Sequence, residues 1–399
     1  MSTPRRHVAT VVTRFQAGAG SVALHGALGL DPDRFRVSVI AGSGDRLLDE
    51  AADAGFPVHL VPELRPEIAP KLELRALARI TDLLAADPAD VVHTHSAKAG
   101  TLGRLAARRA GVGRIVHTYH GFPFHEFQSP ARRSAYVAIE RRLGRITDVG
   151  LCVGAGVAVE AVRRRLIAPE RIRTIGVAVD HTAPAADPAA RAAARAQLGL
   201  PAAAAVVGCV GRLAYQKAPE HFVAALARLN RPDVVGVWIG EGPLLEQIRR
   251  AAAAAAPRAR IVLAGERADV PSLLPAFDVF ALPSRYEGLP VAIIEAMTCG
   301  VPVVASAVNA VADAVVPGRT GLLVPPQRPD LFADAIAYLL DHPEHAAEMS
   351  RAARRALVGR HDEAELAAAL TQAYQLEPPV AKRAPGPSQF AYIEEPACT

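Results

Sequence analysis

Cysteine, tryptophan and lysine are all scarce in this chain of 399 residues. Its four cysteines, Cys152, Cys209, Cys299 and Cys398, stand far apart with no CxxC pair. That spacing excludes a zinc ribbon and a disulfide scaffold and points to reduced thiols in a cytoplasmic setting. No apolar run approaches the roughly 20 residues that span a bilayer, and mean hydropathy is only +0.17. Met1 to Val12 lacks the apolar core of a signal peptide, so secretion is not expected. Gly18 and Gly20 do not complete a GxGxxG pattern, which argues against a dinucleotide dehydrogenase. Only four lysines (Lys71, Lys98, Lys217, Lys382) stand against 41 arginines, so arginine clusters alone carry little information. Nucleic acid is not an expected partner.

Hydrophobic residues make up 51% of the chain and charged residues 21%, which excludes a disordered or fibrous protein. The length suits two domains. Short apolar segments alternate with helical ones through both halves. His7–Thr13, 35–41, 58–61, 90–94 and 114–118 read as strands in the first half. In the second, Ala205–Val210, Val234–Ile239, 260–264, 278–282, 302–305 and Leu322–Val324 do so. Strands separated by helices of 10–15 residues indicate βαβ units and buried parallel sheets. The expected fold is α/β, two doubly wound Rossmann-like domains facing across a cleft. The first domain is expected to cover 1–180 and the second 181–376, with the last helices free to cross back. Thr182–Ala190, with Pro184 and Pro188, reads as the linker, and 377–399 as a disordered Pro-rich tail.

Chemistry concentrates where strands end. Ser284-Arg285-Tyr286-Glu287-Gly288-Leu289-Pro290, followed by Glu295-Ala296-Met297, comes directly after a strand. Pro290 suits the first helical position, and the free amides beside it suit an anion. Glu287 and Glu295, spaced E-x7-E, can accept hydrogen bonds from sugar hydroxyls. After another strand come Gly211, Arg212 and Lys217, where a glycine permits close approach and two cations face a diphosphate. Gly240-Glu241-Gly242-Pro243 is a further glycine turn, and alone it says little.

Together these motifs, with Val301-Pro302-Val303-Val304-Ala305, resemble the retaining glycosyltransferases of family 4, which have the GT-B fold. The likeness spans about residues 7–375 and is tightest in the second half. His120-Gly121-Phe122-Pro123-Phe124-His125 and the Glu140-Arg141-Arg142 helix look like members that build bacterial polysaccharides. The resemblance implies that Arg212 and Lys217 stabilise the leaving nucleoside diphosphate. Glu287 and the amides of Gly288 and Leu289, in the turn of Pro290, would hold the transferred sugar or phosphate, with Glu295 on the ribose. Arg267 would lie by the base and His120 by the donor sugar. Gly18, Gly20, Gly211 and Gly242 are further donor-side candidates, and His95 and Lys98 face the acceptor. The donor is expected to be UDP- or GDP-linked, with a hydroxyl acceptor and no cofactor or metal. A nucleotide-sugar 2-epimerase and a non-catalytic sugar-nucleotide binder are the rival readings. Two residues depart from the family pattern: Ala218 replaces the glycine usual after the motif lysine, and Ala178 alters the step before the linker.

Two metal readings are weak. His93 and His95 alternate on one strand with His117, His120 and His125 nearby, yet few further ligands accompany them. Asp31-Pro32-Asp33 spells DxD but reads as a turn. Charge is lopsided: residues 98–173 carry 15 basic against 5 acidic residues. Tyr136, Ile139, Leu143 and Ile146 recur at helical spacing among Arg133, Arg141, Arg142 and Arg145. Such a helix either packs on the sheet or lies on an anionic membrane at the inner face of the plasma membrane.

Overall fold

The computed structural model describes residues 4–179, 187–256 and 258–375. The expected tail and most of the expected linker lie outside the described residues. The first sheet is built from β1 (Arg6–Phe15), β2 (Phe35–Gly44), β3 (Val58–Leu60), β4 (Val91–His95), β5 (Arg114–Tyr119), β6 (Val149–Cys152) and β7 (Ile172–Thr174). Its strand order is β3-β2-β1-β4-β5-β6-β7. The second sheet is built from β8 (Ala205–Val210), β9 (Val234–Ile239), β10 (Arg260–Leu263), β11 (Val279–Leu282), β12 (Val303–Ser306) and β13 (Leu322–Val324). Its order is β10-β9-β8-β11-β12-β13. Every pairing within the two sheets is parallel. Two doubly wound α/β domains are therefore present, as the alternating pattern required.

Burial explains the near-continuous apolar strands. Val8, Val11, Val12, Val206, Val207 and Cys209 are inaccessible to solvent, because helices cover both sheet faces. Cys152, Cys209 and Cys299 are buried in this interior, and Cys398 lies outside the described residues. The strands β6 and β7, and the helix Ala155–Arg163 between them, are only 4, 3 and 9 residues long and escaped the sequence reading.

Three expectations need correction. Gln16–Gly20 is not an open glycine loop, since a helix already runs over Ala17–Leu28. Pro188 does not sit in a linker but opens the helix Pro188–Gln197, which Asp187 caps through the amide of Ala190. Pro290 is the N-cap of the helix Val291–Thr298 rather than its first residue. The Asp31-Pro32-Asp33 segment is a turn, with the amide of Asp33 donating to Asp31 Oδ1.

The chain closes by returning to the first domain. Helix Glu363–Tyr374, capped by Asp362, lies against Ala17–Leu28. Room for it is made by Gly26, where a Cβ would stand 2.6 Å from Leu370 Cδ1, and by Gly29, 2.9 Å from Ala367 Cβ. The Tyr374 hydroxyl reaches His93 Nδ1 at 2.6 Å.

Candidate active site

In each sheet the strand order reverses beside the first strand, between β1 and β4 and between β8 and β11. Ligands of open α/β sheets bind at the carboxyl ends of strands at such a switch point. Gly18 follows β1, His95 ends β4, Gly211 and Arg212 follow β8, and Ser284–Glu287 follows β11. The two switch points face one another: a Cβ on Gly18 would lie 3.7 Å from Val291 Cγ2, at the start of the motif helix.

The second domain supplies a linked polar set. Lys217 Nζ donates to Glu287 Oε1 at 2.7 Å, and Gln216 Nε2 donates to Oε2 at 3.1 Å. The Ser284 hydroxyl donates to Oε1 at 2.5 Å. Glu287 is buried and Lys217 nearly so, with side-chain exposures of 5% and 17%. Gly211, at φ +157°, leaves space for the lysine stem: a Cβ there would meet Lys217 Cε at 3.2 Å. Arg212 is exposed and has no side-chain partner among the described residues. The amides of Gly288 and Leu289 likewise donate to no protein atom among the described residues, beside the start of a helix. Cation, helix start and free amides together make an anion site.

Ala218 stands at φ +48°, in the left-handed region where an L side chain costs about 1–2 kcal/mol. The turn after Lys217 therefore has the geometry glycine favours, and alanine occupies it under strain. Arg285 braces this turn. Its amide donates to Gln216 O at 2.8 Å, its guanidinium to Tyr215 O at 2.7 Å, and it pairs with Glu220.

Other expected residues have quieter roles. The Glu295 carboxyl has no hydrogen-bond partner among the described residues, and burial pushes it up to about 7. Arg267 is tied to Asp269 through two contacts of 2.8 and 2.7 Å. Gly242 lets its turn pack on the Arg212 loop, since a Cβ would stand 2.4 Å from Leu213 O. Gly20 is buried, with a Cβ position 2.8 Å from the Phe15 carbonyl carbon, so its place is packing under β1. Lys98 pairs with Glu73.

The histidines sit together, His93, His95 and His117 buried and His120 half-buried, in separate hydrogen-bonded sets. His93 bonds Thr118 Oγ1 at 2.7 Å as well as Tyr374, and His95 Nδ1 meets His120 Nε2 at 2.9 Å. His117 bonds Thr94 Oγ1 at 2.8 Å. Among the described residues no group of three or more His, Cys, Asp or Glu could hold a metal ion. Burial pushes His93 down to about 3 and His120 to about 4. His95 and His117 also lie well below the ordinary value, chiefly through burial. Neutral histidines in the fold and protonated ones in the unfolded chain give a definite sign. Their stabilisation is full above the unfolded value of 6.5 and declines as pH falls toward 4. The melting temperature should drop between pH 7 and 5, and His93→Gln should flatten that slope.

Three interdomain contacts were missed by sequence reasoning, because each joins residues distant in the chain. The ring of His125 stacks on Tyr286 at 4.3 Å and 11°. A Cβ on Gly288 would stand 1.9 Å from His120 O, so only glycine lets the domains meet there. Gly156 N–H donates to Asp313 Oδ2 at 2.9 Å. The available signal was a second glycine pair, Gly154 and Gly156, at the end of β6.

Known proteins carry the same organisation. The model for Glycosyltransferase Family 4 matches residues 17–183, and that for Glycosyl transferases group 1 matches 190–356. An Escherichia coli protein, UDP-Gal:alpha-D-GlcNAc-diphosphoundecaprenol alpha-1,3-galactosyltransferase, is 32% identical over 78% of this chain and 82% of its own length. Alpha-maltose-1-phosphate synthase of Mycolicibacterium smegmatis is 29% identical over 81% of this chain and 88% of its own. Among solved structures, Anabaena HepE in complex with UDP and glucose superposes with a TM-score of 0.78 at 20% identity. That match covers 92% of this chain and 99% of the other. Sucrose-phosphate synthase from Thermosynechococcus elongatus gives 0.77 at 23% identity, covering 93% and 98%. The relatives favour sugar transfer over epimerisation. With its two switch points facing across one cleft, the chain belongs to glycosyltransferase family 4 and is a glycosyltransferase of GT-B fold.

Proposed function

We propose that the chain moves a sugar from a UDP-linked donor to a hydroxyl of a lipid-carried glycan, with retention at the anomeric carbon and without a metal. The observation that carries this reading is the pairing of Lys217 with Glu287 beside Arg212 and the amides of Gly288 and Leu289, none of which has a partner for its guanidinium or N–H among the described residues. The lipid-carried acceptor is read from the Escherichia coli relative, whose name specifies a diphosphoundecaprenol-linked sugar. UDP is favoured by the HepE complexes.

Arg212 and Lys217 meet the charge that develops on the diphosphate as the anomeric carbon–oxygen bond breaks. Glu287 orients the sugar, and Lys217 passes from carboxylate to phosphate as the donor arrives. The new bond forms to the acceptor oxygen on the same face, and the acceptor proton goes to the leaving phosphate oxygen. His120, neutral and tethered to His95, accepts or donates one hydrogen bond to the sugar without adding charge. Glu295 binds the ribose, and hydroxyl groups donating to its carboxylate lower its proton affinity. Nucleotide binding then releases a proton, so UDP should bind more tightly at pH 8 than at pH 6. Glu295→Gln should remove that dependence in calorimetry.

A mass-spectrometric screen of UDP-, GDP-, ADP- and dTDP-sugars for slow hydrolysis tests the donor. Turnover of UDP-sugars that survives chelator is expected. Turnover confined to another base, or lost to chelator and restored by magnesium, overturns the corresponding part.

The membrane contact takes a changed form. In the helix Pro130–Gly144 the packed face is Val137, Glu140, Leu143 and Gly144, so the expected apolar stripe is split. Ile139 is exposed, alongside Arg132, Arg141, Arg142 and Arg145. Contact with an anionic leaflet would rest on charge, worth about 1 kcal/mol per basic residue near the surface. Co-sedimentation with anionic vesicles should fade at high salt and vanish in Arg141→Glu with Arg142→Glu. Indifference of the wild type at low salt favours a soluble acceptor.

A further inference from the structure

The residue read above as holding the donor sugar, Glu287, is fixed at three points within its own domain by Lys217, Gln216 and Ser284. Its backbone is fixed from elsewhere. The Glu287 amide donates to Asn309 Oδ1 at 3.1 Å. Asn309 follows β12 at φ +43°, a left-handed conformation that asparagine tolerates better than most residues. The segment that begins with Asn309 is also the part of the second domain that meets the start of helix Ala155–Arg163 in the first.

That meeting is close and shaped. The Asp313 carboxylate accepts from the Gly156 amide, capping from the opposite domain a helix whose own N-cap, Gly154, has no side chain to do so. A Cβ on Gly154 would lie 2.6 Å from Asp313 Oδ2 and 2.9 Å from Ala310 Cβ. A Cβ on Gly156 would lie 2.8 Å from Asn309 O. Both glycines are therefore required by the docking of 309–313. The neighbouring Val153 reaches the Glu287 loop itself, 3.4 Å from a Cβ position on Gly288.

We propose that Asn309 and Asp313 are positioning residues: docking of Asp313 on the Gly154–Gly156 helix start fixes Asn309, and Asn309 fixes the backbone of Glu287. The placement of the sugar-holding carboxylate then depends on the two domains having met. A donor bound to an open molecule finds the Glu287 side chain held by Lys217, Gln216 and Ser284 but its backbone not yet fixed, and closure completes the site. The inference rests on the reading of Glu287 given above, and its structural part is open to test without substrate.

Hydrogen exchange on the full chain decides it. Asn309→Gly suits the left-handed backbone and removes the side chain that carries the accepting oxygen, so the fold is kept. Peptides over 285–289 should exchange about tenfold faster, the loss of one hydrogen bond. Asp313→Ala should quicken 155–158 and, through Asn309, also 285–289, with the conservative Asp313→Asn in between. If Asp313→Ala quickens 155–158 alone, or Asn309→Gly leaves 285–289 unchanged, the relay is overturned. With UDP-galactose as the kinetic probe, both variants should lose about tenfold in kcat with KM for the donor within about twofold. A fall confined to KM also overturns the relay. Failure of the wild type on every UDP-sugar counts against the functional reading alone, because the exchange result stands without turnover.

Discussion

Replacing Arg212 with alanine is expected to lower turnover by two or more powers of ten while leaving the melting temperature unchanged. Its guanidinium is exposed, has no partner among the described residues and follows β8 at the switch point of the second sheet. Nothing in the fold depends on it, so the loss falls on the transition state, where one preorganised charge is worth about 2.7–4 kcal/mol. Lys217→Ala should behave differently. It removes the partner of a buried carboxylate, and breaking such a pair costs about 3–5 kcal/mol, lessened here by the Gln216 and Ser284 bonds that remain. Turnover and stability should fall together. Adding Glu287→Gln to Lys217→Met should restore much of the stability and none of the rate. Thermal melts beside single-turnover rates separate these outcomes, and near-normal turnover of a folded Arg212→Ala, Lys217→Met protein would refute the anion site.

The fold was legible because parallel strands buried on both faces must read as apolar runs, and Ala205–Val210 and Val234–Ile239 were bounded to the residue. For the candidate site, the sequence marked two strand-end loops beside a glycine, Gly211–Lys217 and Ser284–Gly288, and the structure brings them together. What sequence could not show was each residue's partner. Lys217 and Glu287 were read as two separate contacts to a ligand, yet they bond to each other. Lys98 was read as facing an acceptor and is paired with Glu73. Gly20 and Gly242 looked like ligand glycines and serve backbone packing. Glycine in a strand-end loop signals close approach, but of what is decided only by the folded chain. The clustered histidines show the same limit: alternation on β4 placed His93 and His95 on one face, and only the fold shows that Tyr374, from helix Glu363–Tyr374, bonds His93.

The Glu140-Arg141-Arg142 segment has a physical meaning distinct from its basic appearance. Glu140 turns inward and accepts from Arg104 at 2.8 Å, with side-chain exposures of 4% and 0%. Arg104 completes its bonding with Gly100 O at 2.6 Å and Thr147 Oγ1 at 3.3 Å, which joins helix Ala97–Arg109 to helix Pro130–Gly144. Gly100 in turn admits His117, whose Cε1 would stand 2.5 Å from a Cβ. The pair therefore fixes the two helices that follow β4, which ends in His95, and β5, which His120 follows. Glu140→Leu should cost about 3–5 kcal/mol, because it leaves a guanidinium buried without its counter-charge. Arg104→Met together with Glu140→Leu should recover most of that loss, since apolar replacement of both partners removes the desolvation cost along with the attraction. Denaturant midpoints for the two single variants and the double variant form the test. A double variant as unstable as Glu140→Leu would mean that shape at this helix crossing, and not the uncompensated charge, sets the cost.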